Sequence, residues 1–239
     1  MKPKIICHIM SSVDGRLLNG RWTTPFGEST EADLRKVYAA IGKSLQTDAW
    51  MFGRNTVQES FLPYKFTGRK KEYNLPRTSY VAPRESERIL ILSDPEGMIY
   101  YHTATVRGDN IVTILGKGVT DEYLQHLQEA GISYVFGGED GYDLKAAMHM
   151  LSTDFGIRCI SLQGGGILNG AMLEARLVDE LSLVIYPGID GLSGIPSIFE
   201  YNGSNTRFPA KGQRLQLISV EVWDHNAVWL RYQIHKNKK

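Results

Sequence analysis

The segment Gln163-Gly164-Gly165-Gly166-Ile167-Leu168-Asn169-Gly170 carries the strongest chemical signal in the chain. It leaves an apolar run at 159–162 and opens a helical pattern. Three glycines let a main chain approach a ligand with no Cβ in the way. The helix turn that follows offers unpaired N–H groups and the positive end of the dipole, a combination that attracts phosphate. A glycine-rich turn without a ligand has the same composition. The segment also departs from the Gly-x-Gly-x-x-Gly fingerprint, because Asn169 stands where the third glycine belongs. No acid lies about 20 residues beyond Gly166, where the dinucleotide pattern places one.

Three other turns follow apolar runs. Gly53-Arg54-Asn55-Thr56 offers backbone N–H groups and a hydroxyl for a diphosphate, and Ser93-Asp94 is placed for ribose or adenine contact. Gly116-Lys117-Gly118 brings a lysine to a strand end, where it can meet a phosphate or serve as an ordinary loop lysine. The four turns together say more than any one, since ligands in open α/β sheets lie beyond the carboxyl ends of the strands.

Alternating elements must position these turns. Ile5–Met10 reads as a buried strand ended by Ser-Ser-Val-Asp-Gly at 11–15. Ser29 and Thr30 before Asp33 resemble a helix start. Leu34, Val37, Tyr38 and Ile41 then fall on one helical face, and Gly42 reads as the stop. Strands are expected at 49–52, 89–92, 111–115, 134–136, 159–162 and 181–186, with helices at 121–130, 144–151 and 167–175. Residues 62–88 show no clean period and read as loop. Strands alternating with helices imply parallel β-α-β units. Leu215–Val222 and Val228–Ile234, joined by Asp224-His225-Asn226, read as an antiparallel hairpin. The expected architecture is one α/β domain over residues 1–239, a mixed and mostly parallel sheet flanked by helices and ending in that hairpin.

Composition narrows the function. With 27 Lys+Arg against 26 Asp+Glu the net charge is +1, which argues against a nucleic-acid-coating protein. Glycine, at 24 of 239 residues, exceeds the usual ~7%. Cys7 and Cys159 are the only cysteines, too few for a disulfide framework or a cysteine zinc cage. The six histidines show no metal-ligand spacing, and His8 in its apolar strand reads as a satisfied core residue. No apolar stretch approaches the ~20 residues of a membrane helix, so a cytoplasmic protein without membrane partners is expected.

Three stretches resemble a known family. Ser12-Val13-Asp14-Gly15-Arg16-Leu17 is similar to the Ser-x-Asp-Gly-Lys/Arg opening of the riboflavin-biosynthesis reductase domain family. Asp48–Phe52 with Gly53-Arg54-Asn55-Thr56-Val57 resembles its Asp-Ala-apolar-Gly-x-x-Thr-Val segment. Gly164–Gly170, Ala171–Ala175 and Leu177-Val178-Asp179-Glu180-Leu181 resemble its Gly-Gly-x-Leu-x-Gly block and the strand after it. The resemblance implies a dihydrofolate-reductase-like fold, NADPH as hydride donor, a homodimer, and reduction of a ribosylaminopyrimidine to its ribitylamino form. The zinc deaminase signature, His-x-Glu with Pro-Cys-x-x-Cys, is missing, so deamination is not expected. The family often carries Glu where Gln163 stands, and Asp shortly after Thr-Val where this chain has Gln58-Glu59-Ser60. Both departures bear on the acceptor.

Read as a reductase, the chain offers candidate cofactor contacts at Gly53, Arg54, Thr56, Ser93, Lys117, Gly164, Gly165, Gly166, Ile167, Leu168 and Asn169. Lys117 is placed for the 2′-phosphate that distinguishes NADP from NAD. Ser12, Trp22, Thr23 and Gln163 are the expected contacts of a small-molecule substrate. Asp14 and Glu59 are the candidate catalytic acids, on the expectation that partial burial against a nicotinamide pocket raises a carboxyl pKa. Asp14 as a turn residue and Glu59 as a solvated helix carboxylate are the plainer readings, and Arg35 and Arg54 fit a substrate phosphate or a surface role equally. Trp223 and Trp229 read as packing or dimer contacts. A pterin- or dihydrofolate-type reductase and a non-catalytic NADP(H)-binding module are the alternative functions.

Overall fold

The computed structural model describes residues 2–68 and 74–237. Positions 69–73, within the stretch expected as loop, lie outside the described residues. In chain order the elements are β1 (Lys4–Ser11), α1 (Glu31–Ser44), β2 (Ala49–Gly53), α2 (Arg54–Ser60), β3 (Ile89–Ser93), β4 (Thr105–Val106) and β5 (Asp109–Leu115). There follow α3 (Asp121–Glu129), β6 (Ser133–Phe136), α4 (Leu144–Phe155), β7 (Cys159–Leu162), α5 (Gly166–Glu174), β8 (Glu180–Ile185), β9 (Gln213–Trp223) and β10 (Ala227–Lys236). None of these helices is long and apolar enough to cross a membrane.

The chain groups into two compact units: Met1–Pro3 with Asp48–Ile160, and Lys4–Thr47 with Ser161–Lys239. In the first, β2, β3, β5 and β6 pair in parallel, and the two-residue β4 lies antiparallel to the start of β5. Trp50, Phe52, Leu90, Leu92, Leu124 and Tyr134 belong to its core. In the second, β1 runs parallel to β8, β10 antiparallel to β8, and β9 antiparallel to β10. The α/β class, the mostly parallel pairing and the terminal hairpin match the expectation.

Two expectations need correcting. Gly42 does not stop α1, which runs on to Ser44. A Cβ at Gly42 would lie 3.1 Å from His8 Nε2, so a side chain there would press on the His8 ring. The residues after Gly53 are not an open turn but the helix α2, with Gly53 at its N-cap. The start of α1 is as expected: Thr30 Oγ1 accepts from the Asp33 N–H, and the Asp33 carboxylate accepts from the Thr30 N–H.

His8 is fully buried and stacked on Tyr38, with ring centroids 4.2 Å apart. Trp229 Nε1–H donates to Ser182 Oγ, which lies 3.0 Å from His8 Nδ1, and His8 Nε2 faces the Tyr38 carbonyl at 3.2 Å. A neutral ring satisfies the relay with Nε2–H donating and Nδ1 accepting. Burial accordingly pushes the His8 pKa down to about 4.

Candidate active site

The glycine turn lies in the second unit, between β7 and α5. Gly164 sits at φ +96°, and the Gly164–Gly165 peptide is cis. Gly165 is the N-cap of α5 and supplies no capping side chain, so the first-turn N–H groups lack the usual capping partner. Ile167 is half exposed and Leu168 buried. Gln163 Nε2 donates to Ser161 Oγ at 3.0 Å.

The glycines do not all clear the way for a ligand, as the sequence suggested. A Cβ at Gly166 would lie 2.3 Å from the Ser197 carbonyl oxygen, and one at Gly170 2.2 Å from that of Glu200. Gly166 and Gly170 are one helical turn apart and leave a bare strip on α5. The chain's own backbone at 197–200 lies across it. Glu200 N–H donates to the Gly166 carbonyl at 2.9 Å, and Asn169 Nδ2 donates to that of Ile198 at 2.9 Å. Asn169 is fully buried, and its Oδ1 has no hydrogen-bond partner. At the start of the triplet, a Cβ at Gly164 would lie 3.2 Å from Ile9 Cδ1.

The turn after β1 belongs to the same unit. Ser12 Oγ–H donates to Asp14 Oδ1 at 2.6 Å, and Ser12 Oγ accepts from the Arg16 N–H at 2.9 Å. Asp14 also accepts from two distant main-chain donors: Asp190 N–H reaches Oδ1 at 3.1 Å and Gly191 N–H reaches Oδ2 at 2.9 Å. These bonds, the Ser12 hydroxyl foremost, hold the Asp14 carboxyl well below the usual carboxylate range. The expected upward shift is therefore corrected: hydrogen bonding to the charged form outweighs desolvation, and Asp14 stays ionised. Thr23 Oγ1 accepts from the Ile189 N–H at 3.0 Å, and Thr23 N–H donates to the Ile189 carbonyl at 3.0 Å. Trp22 packs on Tyr186 with ring centroids 4.8 Å apart. Asp14 and Thr23 thus converge on residues 189–191, and Ser12 braces Asp14.

The remaining candidates lie in the first unit. Arg54 opens α2, with Nη1 donating to the Glu96 carboxylate and 3.7 Å from Asp94 Oδ1. Thr56 lies on the same helix, and Glu59 is exposed on its last turn. Ser93 ends β3, but its neighbour Asp94 turns inward. Asp94 accepts from the Met98 and Ile99 N–H groups at 2.8 and 2.9 Å and from the Tyr123 hydroxyl at 3.0 Å. Burial pushes its pKa up, and it anchors the 95–99 turn rather than facing a ribose. Lys117 Nζ pairs with exposed Glu139 at 2.8 Å. A Cβ at Gly116 would meet the Asp140 backbone at 2.8 Å, so that glycine also serves the chain itself.

Sequence reasoning missed Arg77, which holds the lysine turn. Its Nε donates to the Lys117 carbonyl at 3.0 Å, Nη2 to that of Val119 at 2.9 Å, and Nη1 to Asp121 at 2.7 Å. It also missed Asp190, whose side chain is fully buried beneath the Arg21 guanidinium. Neither carries a local signal. Arg77 sits in a stretch without periodicity, and Arg21 and Asp190 are far apart in sequence.

Comparison with known proteins places the fold. The RibD C-terminal domain family model matches residues 3–228. A pyrimidine reductase-like protein from Corynebacterium diphtheriae superposes over 98% of this chain and 93% of its own, with TM-score 0.66 and 19% identity. The riboflavin biosynthesis reductase Rib7 of Saccharomyces cerevisiae matches over 98% and 90%, with TM-score 0.55 and 14% identity. The diaminohydroxyphosphoribosylaminopyrimidine deaminase/5-amino-6-(5-phosphoribosylamino)uracil reductase of Thermotoga maritima matches over 97% of this chain, with TM-score 0.57 and 12% identity. The chain spans 56% of that protein's length. At these identities the superpositions speak to fold, and the family model to kinship. Matched across residues 3–228, the chain belongs to the RibD C-terminal domain family.

Proposed function

We propose that the chain is an NADPH-dependent oxidoreductase acting as one reductase-like domain in the cytoplasm. Its acceptor is a small heterocycle of the ribosylaminopyrimidine type, as in 5-amino-6-(5-phosphoribosylamino)uracil reduction. Bound NADPH supplies the hydride. The observation that carries the reading is the start of α5: a positive-φ glycine and an N-cap glycine without a capping side chain, beside the buried, unpartnered Asn169 Oδ1. A diphosphate fits such a helix start. Gly164, Gly165 and the α5 first turn would hold it. The Ser12–Thr23 turn orients the acceptor, with Gln163 beside the glycine turn. Asp14 acts there as a fixed anion rather than as a proton donor, while Glu59 is free of such ties. Positioning of this kind supplies much of the rate of hydride transfer.

Titration with NADPH should show saturable binding, with weaker binding of NADH. NADPH absorbance should then fall when the ribosylaminopyrimidine is added. Absence of binding to either reduced dinucleotide at protein concentrations well above micromolar would remove the redox reading. Oxidation only with dihydropterin or dihydrofolate acceptors would replace the substrate, and binding without turnover would leave an NADP(H)-binding module.

The chain acts as a homodimer through β9. This strand is the last of the order β1-β8-β10-β9, and Leu215, Leu217, Ile218, Val220 and Val222 on it are 46–79% exposed. A long apolar edge strand left open invites aggregation, and a symmetric partner covers it. Light scattering should give twice the chain mass, and Leu217→Lys with Val222→Lys should give the monomer. A monomeric parent protein would overturn the proposal.

A further inference from the structure

Between β8 and β9 the segment Gly188–Tyr201 has no helix or strand of its own, yet it is bonded along its length. At its near end the Gly188 carbonyl accepts from the Val13 N–H at 2.8 Å, and Ile189 exchanges two hydrogen bonds with Thr23. A Cβ at Gly188 would lie 2.6 Å from the Thr23 carbonyl oxygen, so the two backbones touch. Asp190 sits here with its side chain fully buried. Arg21 donates to both its oxygens, Nε at 2.9 Å and Nη2 at 3.3 Å, and the Leu192 N–H adds a third bond at 3.1 Å. In the middle, Arg16 Nη1 donates to the Ile195 carbonyl at 2.9 Å and Leu17 N–H to that of Pro196 at 3.0 Å. At the far end the backbone of Ser197 and Glu200 lies against Gly166 and Gly170. Glu200 Oε1 accepts from the Ser197 N–H at 3.0 Å and braces that bend.

We infer that Gly188–Tyr201 is a splint that fixes the Ser12–Thr23 turn relative to the first turn of α5, with Asp190 as its positioning residue. The inference rests on the reading of α5 as the cofactor's diphosphate seat. The physical reason is the kind of contact at the two ends. Main-chain atoms of the splint lie directly on main-chain atoms of both targets, and the Thr23, Asp14 and Asn169 side chains add further bonds to them. A buried carboxylate held by a bidentate guanidinium adds little net stability compared with apolar packing, and it is strongly directional. Its geometry sets where residues 189–191 lie. Those residues set Asp14, and the same segment ends on Gly166.

The test pairs Asp190→Asn with Ile41→Val. Ile41 is a fully buried residue of α1, outside the splint and both of its targets, and its truncation is a structural loss. Both variants are measured well below their melting temperatures. In the ligand-free protein, Asp190→Asn should speed amide exchange at 197–201 and in the first turn of α5. It should also weaken NADPH binding about fivefold, a coupling of ordinary size. Arg21→Lys, which keeps the charge but loses the two-toothed geometry, should move both readouts the same way by less. Ile41→Val should leave both at the parent values.

Unchanged exchange in α5 for Asp190→Asn would overturn the splint, and so would equal changes in Ile41→Val. Faster exchange with unchanged NADPH affinity would overturn the positioning role. If the parent protein binds no NADPH, the cofactor reading falls, while exchange still decides whether the two ends are coupled.

Discussion

Gly170→Ala is expected to destabilise the protein by about 2–3 kcal/mol, although alanine is the better helix former. The added Cβ would lie 2.2 Å from the Glu200 carbonyl oxygen, 2.3 Å from its carbon and 2.7 Å from the Tyr201 nitrogen. All three are main-chain atoms, so no rotamer change relieves the clash, and the cost sits at or above the usual ~1–3 kcal/mol of overpacking. Removing glycine from a helix interior returns about 1 kcal/mol at most. For a chain of this size the net loss lowers Tm by about 5–10 °C. NADPH affinity should fall by about tenfold, because the displaced backbone also lies on Gly166, and small misplacements at a binding turn are costly. Gly118→Ala is the control. Nothing lies within 4 Å of its Cβ position, and the change should stay within about 0.5 kcal/mol. Thermal melts and an NADPH titration of the two variants check both statements. A Gly170→Ala protein as stable as the parent would mean that α5 and residues 200–201 do not touch as described.

The elements were largely legible in the sequence because their signals are local. The Thr30–Asp33 box, the 34/37/41 apolar face and the alternation at 215–222 and 228–234 each encode their own element. The two-residue β4 was not legible, since two residues carry no period. The candidate turns were legible as turns, but their surroundings were not. A glycine shows that a side chain is unwelcome without showing what occupies the space. At Gly166, Gly170, Gly116 and Gly42 the occupant is the chain itself, backbone at the first three and the His8 ring at the last. Asp14 misled in the same way. Partial burial was expected of it at a turn after a core strand, but Asp14 is exposed, and its donors at 190 and 191 come from the other end of the chain. Non-local partners decide the sign of a pKa shift, and no spacing rule shows them.

Asp14→Asn should lower turnover by about a hundredfold while weakening NADPH binding by no more than about fivefold, the pattern of a group that orients the acceptor rather than the cofactor. An amide is not a neutral copy of this carboxylate. Each of its oxygens accepts from an N–H of the 190–191 backbone, and an Nδ2 group put in either place would point donor at donor. The turn must then shift, and Ser12, whose hydroxyl also bonds Asp14, shifts with it. The pH dependence separates this role from general-acid catalysis. A proton-donating Asp14 would need a pKa near neutrality, and its ionisation would show as a falling limb in kcat as pH rises. The hydrogen bonds instead hold the folded-state pKa below the unfolded value of about 3.9. The group is ionised across the neutral range and contributes no limb there. Its contribution to stability is present above that unfolded value and is lost only as pH falls through the folded one. Parent and variant should therefore show kcat profiles of the same shape between about pH 5 and 9, offset by a constant factor. A limb in the parent that vanishes in Asp14→Asn would restore the acid role and overturn the assignment of Asp14 as a fixed anion.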